Sequence, residues 1–192
     1  TEIPASAQVD PITPRPATLP SIKSLFHEDN FAQLPELTMV WPTPPALHPD
    51  YFALDVLADL LTDGKQSPLH AVLVDQRKVT SEVSAAQNSG KVAGELWLSV
   101  RAFEDTDLDA VKAALDEGFA KFERDGIDPK ALARVKTQQE VSVYGQIGSV
   151  LGKASRIARY DLYSGDPGFA DREIAGIRGV TAADVTRVYQ RY

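Results

Sequence analysis

The 192-residue sequence contains no cysteine, one methionine, two tryptophans and three histidines. Without cysteine there are no disulfides and no thiolate metal centres. That absence suits an oxidising compartment without proving one. No run of about 18 apolar residues is present, so nothing reads as a membrane-spanning helix. Positive charge is in deficit: Lys plus Arg is 20 against 27 for Asp plus Glu, a net charge of −7. Nucleic-acid binding needs a concentrated basic face and is disfavoured. The sequence has no internal repeat, and its length fits one domain.

What is present begins with prolines. Pro4, Pro11, Pro14, Pro16 and Pro20 crowd the first twenty residues. Residues 1–20 therefore read as a Pro-rich interdomain linker, or as an extended tail. The chain starts at Thr1 without an initiator Met or a signal peptide. It is expected to be a piece of a longer protein, with residues 21–192 as one domain.

Residues 50–85 carry the clearest local code. Ala53, Leu54, Leu57, Leu60 and Leu61 recur at helical spacing, and Asp55, Asp59 and Asp63 fall on the other side, expected to face water. Gly64 ends that helix, and Ser67-Pro68 starts a short one, with serine as its cap. Val79, Ser81, Val83 and Ala85 then alternate with polar residues, the period of a strand.

Around this unit, Ile22–Glu28 is a candidate first strand. Leu37–Trp41, apolar on both faces, is expected to be central in the sheet. Val92–Phe103 gives the strongest strand pattern, joined to the preceding strand by a turn at Asn88-Ser-Gly90. Helices follow. A capping box at Thr106 and Asp109 opens an apolar stripe through Leu108, Val111, Leu115, Phe119 and Phe122, closed by Gly126. Asp128-Pro129 opens the next helix, and Gly145, Gly148 and Gly152 break or kink it. Thr181-Ala-Ala-Asp184 caps the last helix. Strands first and helices after predict an α+β fold: a mainly antiparallel sheet with helices packed on one face.

Three sets of residues carry letters of chemistry. His27, His48 and His70 stand far apart in sequence and offer no metal-binding spacing. Ser67, His70 and Asp75 have the letters of a hydrolase triad, but one short helix cannot aim all three at a substrate. Glu82 and Glu95 could face each other across the hairpin, although solvated carboxylates on an open sheet are far commoner.

The segment from Asp50 to Ala85, preceded by Leu37-Thr-Met-Val-Trp-Pro-Thr-Pro44, resembles the C-terminal-type domain of the pitrilysin/insulinase zinc peptidases (inverzincins). Gly126–Gln138, Ala158–Pro167 and Val180–Tyr192 extend the likeness in order, so that it covers about residues 21–192. The resemblance implies a two-layer sandwich that occurs in pairs. It places zinc on a His-x-x-Glu-His helix with a downstream Glu, and this chain has no such motif. The family's other functional element is an Arg followed seven positions on by a Tyr, and here Val74 and Ser81 occupy those positions. Valine donates nothing, and serine is too short to replace tyrosine. Arg77 lies out of register, and Arg159-Tyr160 are adjacent helical residues that diverge by about 100°.

By this resemblance the chain has no catalytic residue and no metal or cofactor site of its own. Zinc is expected in a neighbouring catalytic domain of a bacterial parent. The chain would form part of the substrate chamber, with peptide as substrate of the full assembly. Its partners would be peptidase-family domains of the same protein or of another subunit, with neither nucleic acid nor membrane. The compartment suggested is the periplasm. The alternative is a domain of a degenerate subunit with a structural or interaction role and no peptidase activity. Apolar surface once covered by a neighbour should be exposed, or masked in a homodimer.

Overall fold

The computed structural model describes residues 19–192, so the Pro-rich stretch through residue 18 lies outside the described residues. Strand β1 (Glu36–Thr43) leads through a loop into helix α1 (Tyr51–Thr62). A short helix α2 (Pro68–His70) continues as a wider π-helical turn over Ala71–Gln76. The hairpin β2 (Thr80–Ser89) and β3 (Gly94–Ala102) comes next. Helices α3 (Leu108–Asp125), α4 (Pro129–Ile147), α5 (Val150–Ser164), α6 (Ala170–Gly179) and α7 (Ala182–Arg191) complete the chain.

The sheet is antiparallel in the order β1-β3-β2. The strongest strand pattern therefore takes the centre. β1, expected there, is an edge among the described residues. Its apolar residues have a different cause. Leu37, Met39 and Trp41 pair with Val100, Leu98 and Leu96 and pack on the core, while Val40 pairs with Trp97 on the outer face. Ile22–Glu28 is not a strand. Ile22 is 97% and Phe26 80% exposed, so the alternating face meets nothing it could bury against.

One face of the sheet is covered by helices around Leu54, Leu73, Leu98, Val100, Leu115, Val135 and Val188. α1 buries Val56 and Ala58 as well as the expected stripe, because it is packed between β2 on one side and α4, α6 and α7 on others. A smaller apolar cluster of Val143, Ile174 and Ile177 joins α4 to α6.

The helix ends follow local chemistry. Gly64 adopts φ +83° just past α1, and Gly165 takes the left-handed cap of α5 at φ +67°, a region that favours glycine. Asp128 accepts from the amides of Lys130 and Ala131 at 3.1 and 3.3 Å, with Pro129 at the first position of α4. The Thr181–Asp184 capping box forms in full. α4 does end among the glycines, and Ser149 caps α5 by accepting from the Gly152 amide.

Two expected caps differ. Asp107, one residue on from Thr106, caps α3 by accepting from the Asp109 amide at 3.0 Å, while Thr106 is held in a turn to Phe103. Ser67 stands at the start of α2, but its buried hydroxyl makes no cap bond.

The hairpin turn closes on a crowded glycine. A methyl group on Gly94 would lie 2.4 Å from the Pro44 carbonyl oxygen and 2.6 Å from Ser89 Oγ. Gly94→Ala is expected to cost about 2 kcal/mol, since β1 and β3 must separate to admit it. Urea unfolding measures this. A loss under about 0.5 kcal/mol would show that the turn yields freely.

Candidate functional site

Val74 and Ser81 lie on either side of the turn that joins the π-helical segment to β2. Val74 is half-buried, and Ser81 is exposed. The strand alternation expected from Val79 onward is interrupted by a bulge between Thr80 and Val83. Thr80 causes it: its buried hydroxyl donates to the Arg101 carbonyl at 2.6 Å and accepts from the Glu82 amide at 3.2 Å. Ser81 and Glu82 are consequently both exposed, and Ser81 does not share the inner face with Val83. Arg77 is engaged elsewhere. Its Nε donates to Glu117 of α3 at 2.8 Å, and this contact holds the Glu117 carboxyl below its ordinary value.

The remaining letters of chemistry stay dispersed. Ser67 Oγ and His70 Nδ1 are both buried without a hydrogen-bond partner among the described residues, so they do not form a nucleophile–base pair. His70 Nδ1 lies 3.7 Å from Asp75. His48 Nδ1 accepts from the Asp50 amide at 3.1 Å, and His27 is exposed. Glu95 pairs with Asn88 at the turn end of the hairpin, while Glu82 sits at the bulge near the other end. They do not face each other. Among the described residues, no set of three His, Asp or Glu side chains is arranged to hold a metal ion. Zinc needs about three protein ligands, and the described residues bring no such set together.

A polar cavity lies elsewhere. α1 forms one wall of a cavity of about 580 Å³ whose other walls come from α4, α5 and α6. Asp55 and Asp59, expected to face water, line it instead. Burial pushes the Asp55 carboxyl up to about 7, reinforced by Asp59 and Glu173 and opposed by Arg159. Burial also raises Asp59, against the hydrogen bond that Gln139 Nε2 donates to it at 2.7 Å. On the far wall Arg156 donates to Glu173 and, at 2.8 Å, to the Tyr160 hydroxyl, which itself donates to Glu173. Helical periodicity located the apolar face of α1 but could not show that later helices cover the opposite one. The available signals were the i, i+4 pairs Asp55–Asp59 and Arg156–Tyr160.

Comparison with known proteins places this architecture. The family profile described as the peptidase M16 inactive domain matches residues 1–139. No curated protein sequence matches the chain. A protease from Helicobacter pylori superposes with a TM-score of 0.75 at 21% identity, over 85% of this chain and 40% of that one. The chain therefore spans less than half the length of that protease. The inactive peptidase domain of a candidate zinc protease from Bordetella parapertussis gives 0.69 at 18% identity, over 79% of this chain and 82% of that one. The periplasmic protease PqqL from Escherichia coli gives 0.63 at 15% identity, over 82% and 17%. These likenesses agree on the helix-over-sheet fold, and with the profile spanning most of its sequence, this chain belongs to the peptidase M16 family as an inactive domain.

Proposed function

We propose that this domain forms a wall of a peptide-holding chamber whose zinc belongs to a neighbouring domain of the same protein or of a partner subunit. Residues 21–192 act as one unit, and residues 1–20 link it to what precedes. Val74 and Ser81 stand where active relatives carry Arg and Tyr, so this chain supplies no donor toward a scissile carbonyl. Its contribution is enclosure and positioning. The observation that carries this reading is the match to an inactive peptidase domain.

Exposed apolar surface supports a missing neighbour. Val40, Trp97 and Ala86 form one cross-strand row on the uncovered sheet face, with Val40 42% and Trp97 40% exposed. Val141, Tyr144, Val150 and Leu151 are exposed on α4 and α5. Surfaces of this kind mark interaction sites. The periplasm fits the likeness to a periplasmic protease, and among the described residues no helix is long and apolar enough to cross a membrane.

The test uses the purified chain with a quenched unfolded peptide and added zinc. No hydrolysis above background is expected. Metal-dependent cleavage abolished by a chelator and restored by zinc would overturn the proposal. The degenerate-subunit reading separates on the parent protein: a zinc-bearing M16 partner domain that gains activity when mixed with this chain excludes it.

A further inference from the structure

Two apolar surfaces of this chain have no partner among the described residues. The first is an arm ahead of β1. Ile22 is 97%, Leu25 96% and Phe26 80% exposed, and this stretch has no regular structure. A turn separates it from β1: the Asp29 side chain accepts from the Phe31 amide at 2.8 Å, and the Asp29 carbonyl accepts from the Ala32 amide at 3.3 Å. Beyond that turn the arm stands clear of the domain that carries it. The second surface is a groove of about 490 Å³ beneath β1, between the inner sheet face and α1, α3 and α7. Its walls include the half-buried, accessible side chains of Met39, Trp41, Phe119, Tyr189 and Tyr192. β1 itself has no neighbour on its far side among the described residues.

We infer that two copies of this chain pair by exchanging arms, Ile22–Glu28 of each adding as a strand along the open edge of β1 in the other. Strand addition supplies main-chain hydrogen bonds, and alternate side chains supply the fit. The period of two decides where they go. Ile22 and Phe26 share one face and enter the groove. Leu25 falls on the opposite face, beside Val40, which is 42% exposed on the outer side of β1. The lengths agree as well: Glu36–Trp41 precede Pro42 and keep their amide hydrogens, so the paired stretch of β1 nearly equals the arm.

A second copy is the occupant because one chain carries both halves of the contact, and a two-fold axis satisfies both at once. The area suffices. Ile22, Leu25 and Phe26 from two arms, at roughly 150 Å² each, together with an equal area of the surface they cover, bury about 1,800 Å², above the roughly 1,200 Å² of a stable interface. The exchange also closes on itself. Each arm and each groove is used once, so no open chain of copies follows. This inference concerns the chain's own copies and does not rest on the chamber reading.

Sedimentation equilibrium of the full chain between about 1 µM and 1 mM reads the pairing, and a monomer–dimer Kd at or below about 100 µM is expected. Phe26→Asp changes a side chain that is exposed in the single copy, so its fold is kept, and burial of the new charge should weaken pairing at least about tenfold. Val150→Ser, at an exposed apolar residue of α5, should leave it unchanged. Met39 is the only methionine, so methyl labelling gives one signal in the groove. In a mixture of methyl-labelled and unlabelled chains, filtered NOEs should run from that methyl to aromatic protons of the unlabelled copy, and vanish when that copy carries Phe26→Leu. A monomer up to about 1 mM, tenfold past that Kd limit, a dimer that survives Phe26→Asp, or one lost in Val150→Ser would overturn the inference. So would Met39–Phe26 contacts confined to one chain, which would make the arm a flap over its own groove.

Discussion

Asp55→Asn is expected to stabilise the protein by up to about 4 kcal/mol at pH 8. The folded carboxyl titrates near 7, against 3.8 for the ordinary group, mainly because burial disfavours its charge. The folded state then binds the proton more tightly than the unfolded state. Stability is greatest below the unfolded value, falls as pH rises through the interval from 3.8 to about 7, and is flat above it. Asparagine mimics the protonated acid in shape and charge, so the variant should lose this slope and keep the low-pH stability. Urea unfolding of both proteins at pH 4, 6 and 8 reads the difference directly. A gap between wild type and variant that does not widen with pH would refute the account.

The opposite sign is expected at Asp50, just before the start of α1. Asp50 is buried, its side chain only 4% exposed. It accepts from Arg187 Nη1 at 2.6 Å and from the Tyr192 hydroxyl at 2.8 Å, and Arg191 lies 3.5 Å away. Burial pushes its carboxyl upward, but the bonds from Tyr192 and Arg187 prevail and hold it below its ordinary value. It thus contributes stability above about pH 4, lost as pH falls through the depressed folded value. The clamp ties the start of α1 to the end of α7, far apart in sequence. Asp50→Ala removes the acceptor of the Tyr192 hydroxyl and the ionic partner of Arg191, leaves Arg187 only Asp184 at 3.6 Å, and is expected to cost about 3 kcal/mol. In a domain of this size the melting temperature should drop by roughly 10 °C. A shift under 2 °C, less than about 1 kcal/mol, would show that solvent replaces the clamp.

Legibility in the sequence followed the range of the interactions. Signals confined to a few residues were read correctly: the Thr181–Asp184 box, Asp128-Pro129, Gly64 and the break near Gly148 all depend on neighbouring backbone. The helix-over-sheet class also followed, because it rests on periodicity summed over whole elements. Errors arose where a distant partner decides. Leu37–Trp41 looked central since both its faces carry apolar groups, yet one of these, Val40, lies on the outer face of an edge strand. Ile22–Glu28 alternates correctly and still finds no strand to pair with among the described residues. The Thr80 bulge depends on Arg101 across the hairpin, and it reversed the face of Ser81. The cavity was missed for the same reason. Asp55 reads as a solvated residue until α5 and α6, a hundred residues on, close over it.

The border of the sheet has one more implication. A short antiparallel ribbon with open sides presents free amides and carbonyls that can template a growing fibre. Here Pro42 interrupts β1 with a residue lacking an amide hydrogen, and the irregular start of β2 twists its rim out of plane. Continuous lateral stacking of identical copies is thereby discouraged along both sides, and such a domain can leave apolar groups uncovered for a dedicated mate without condensing onto itself.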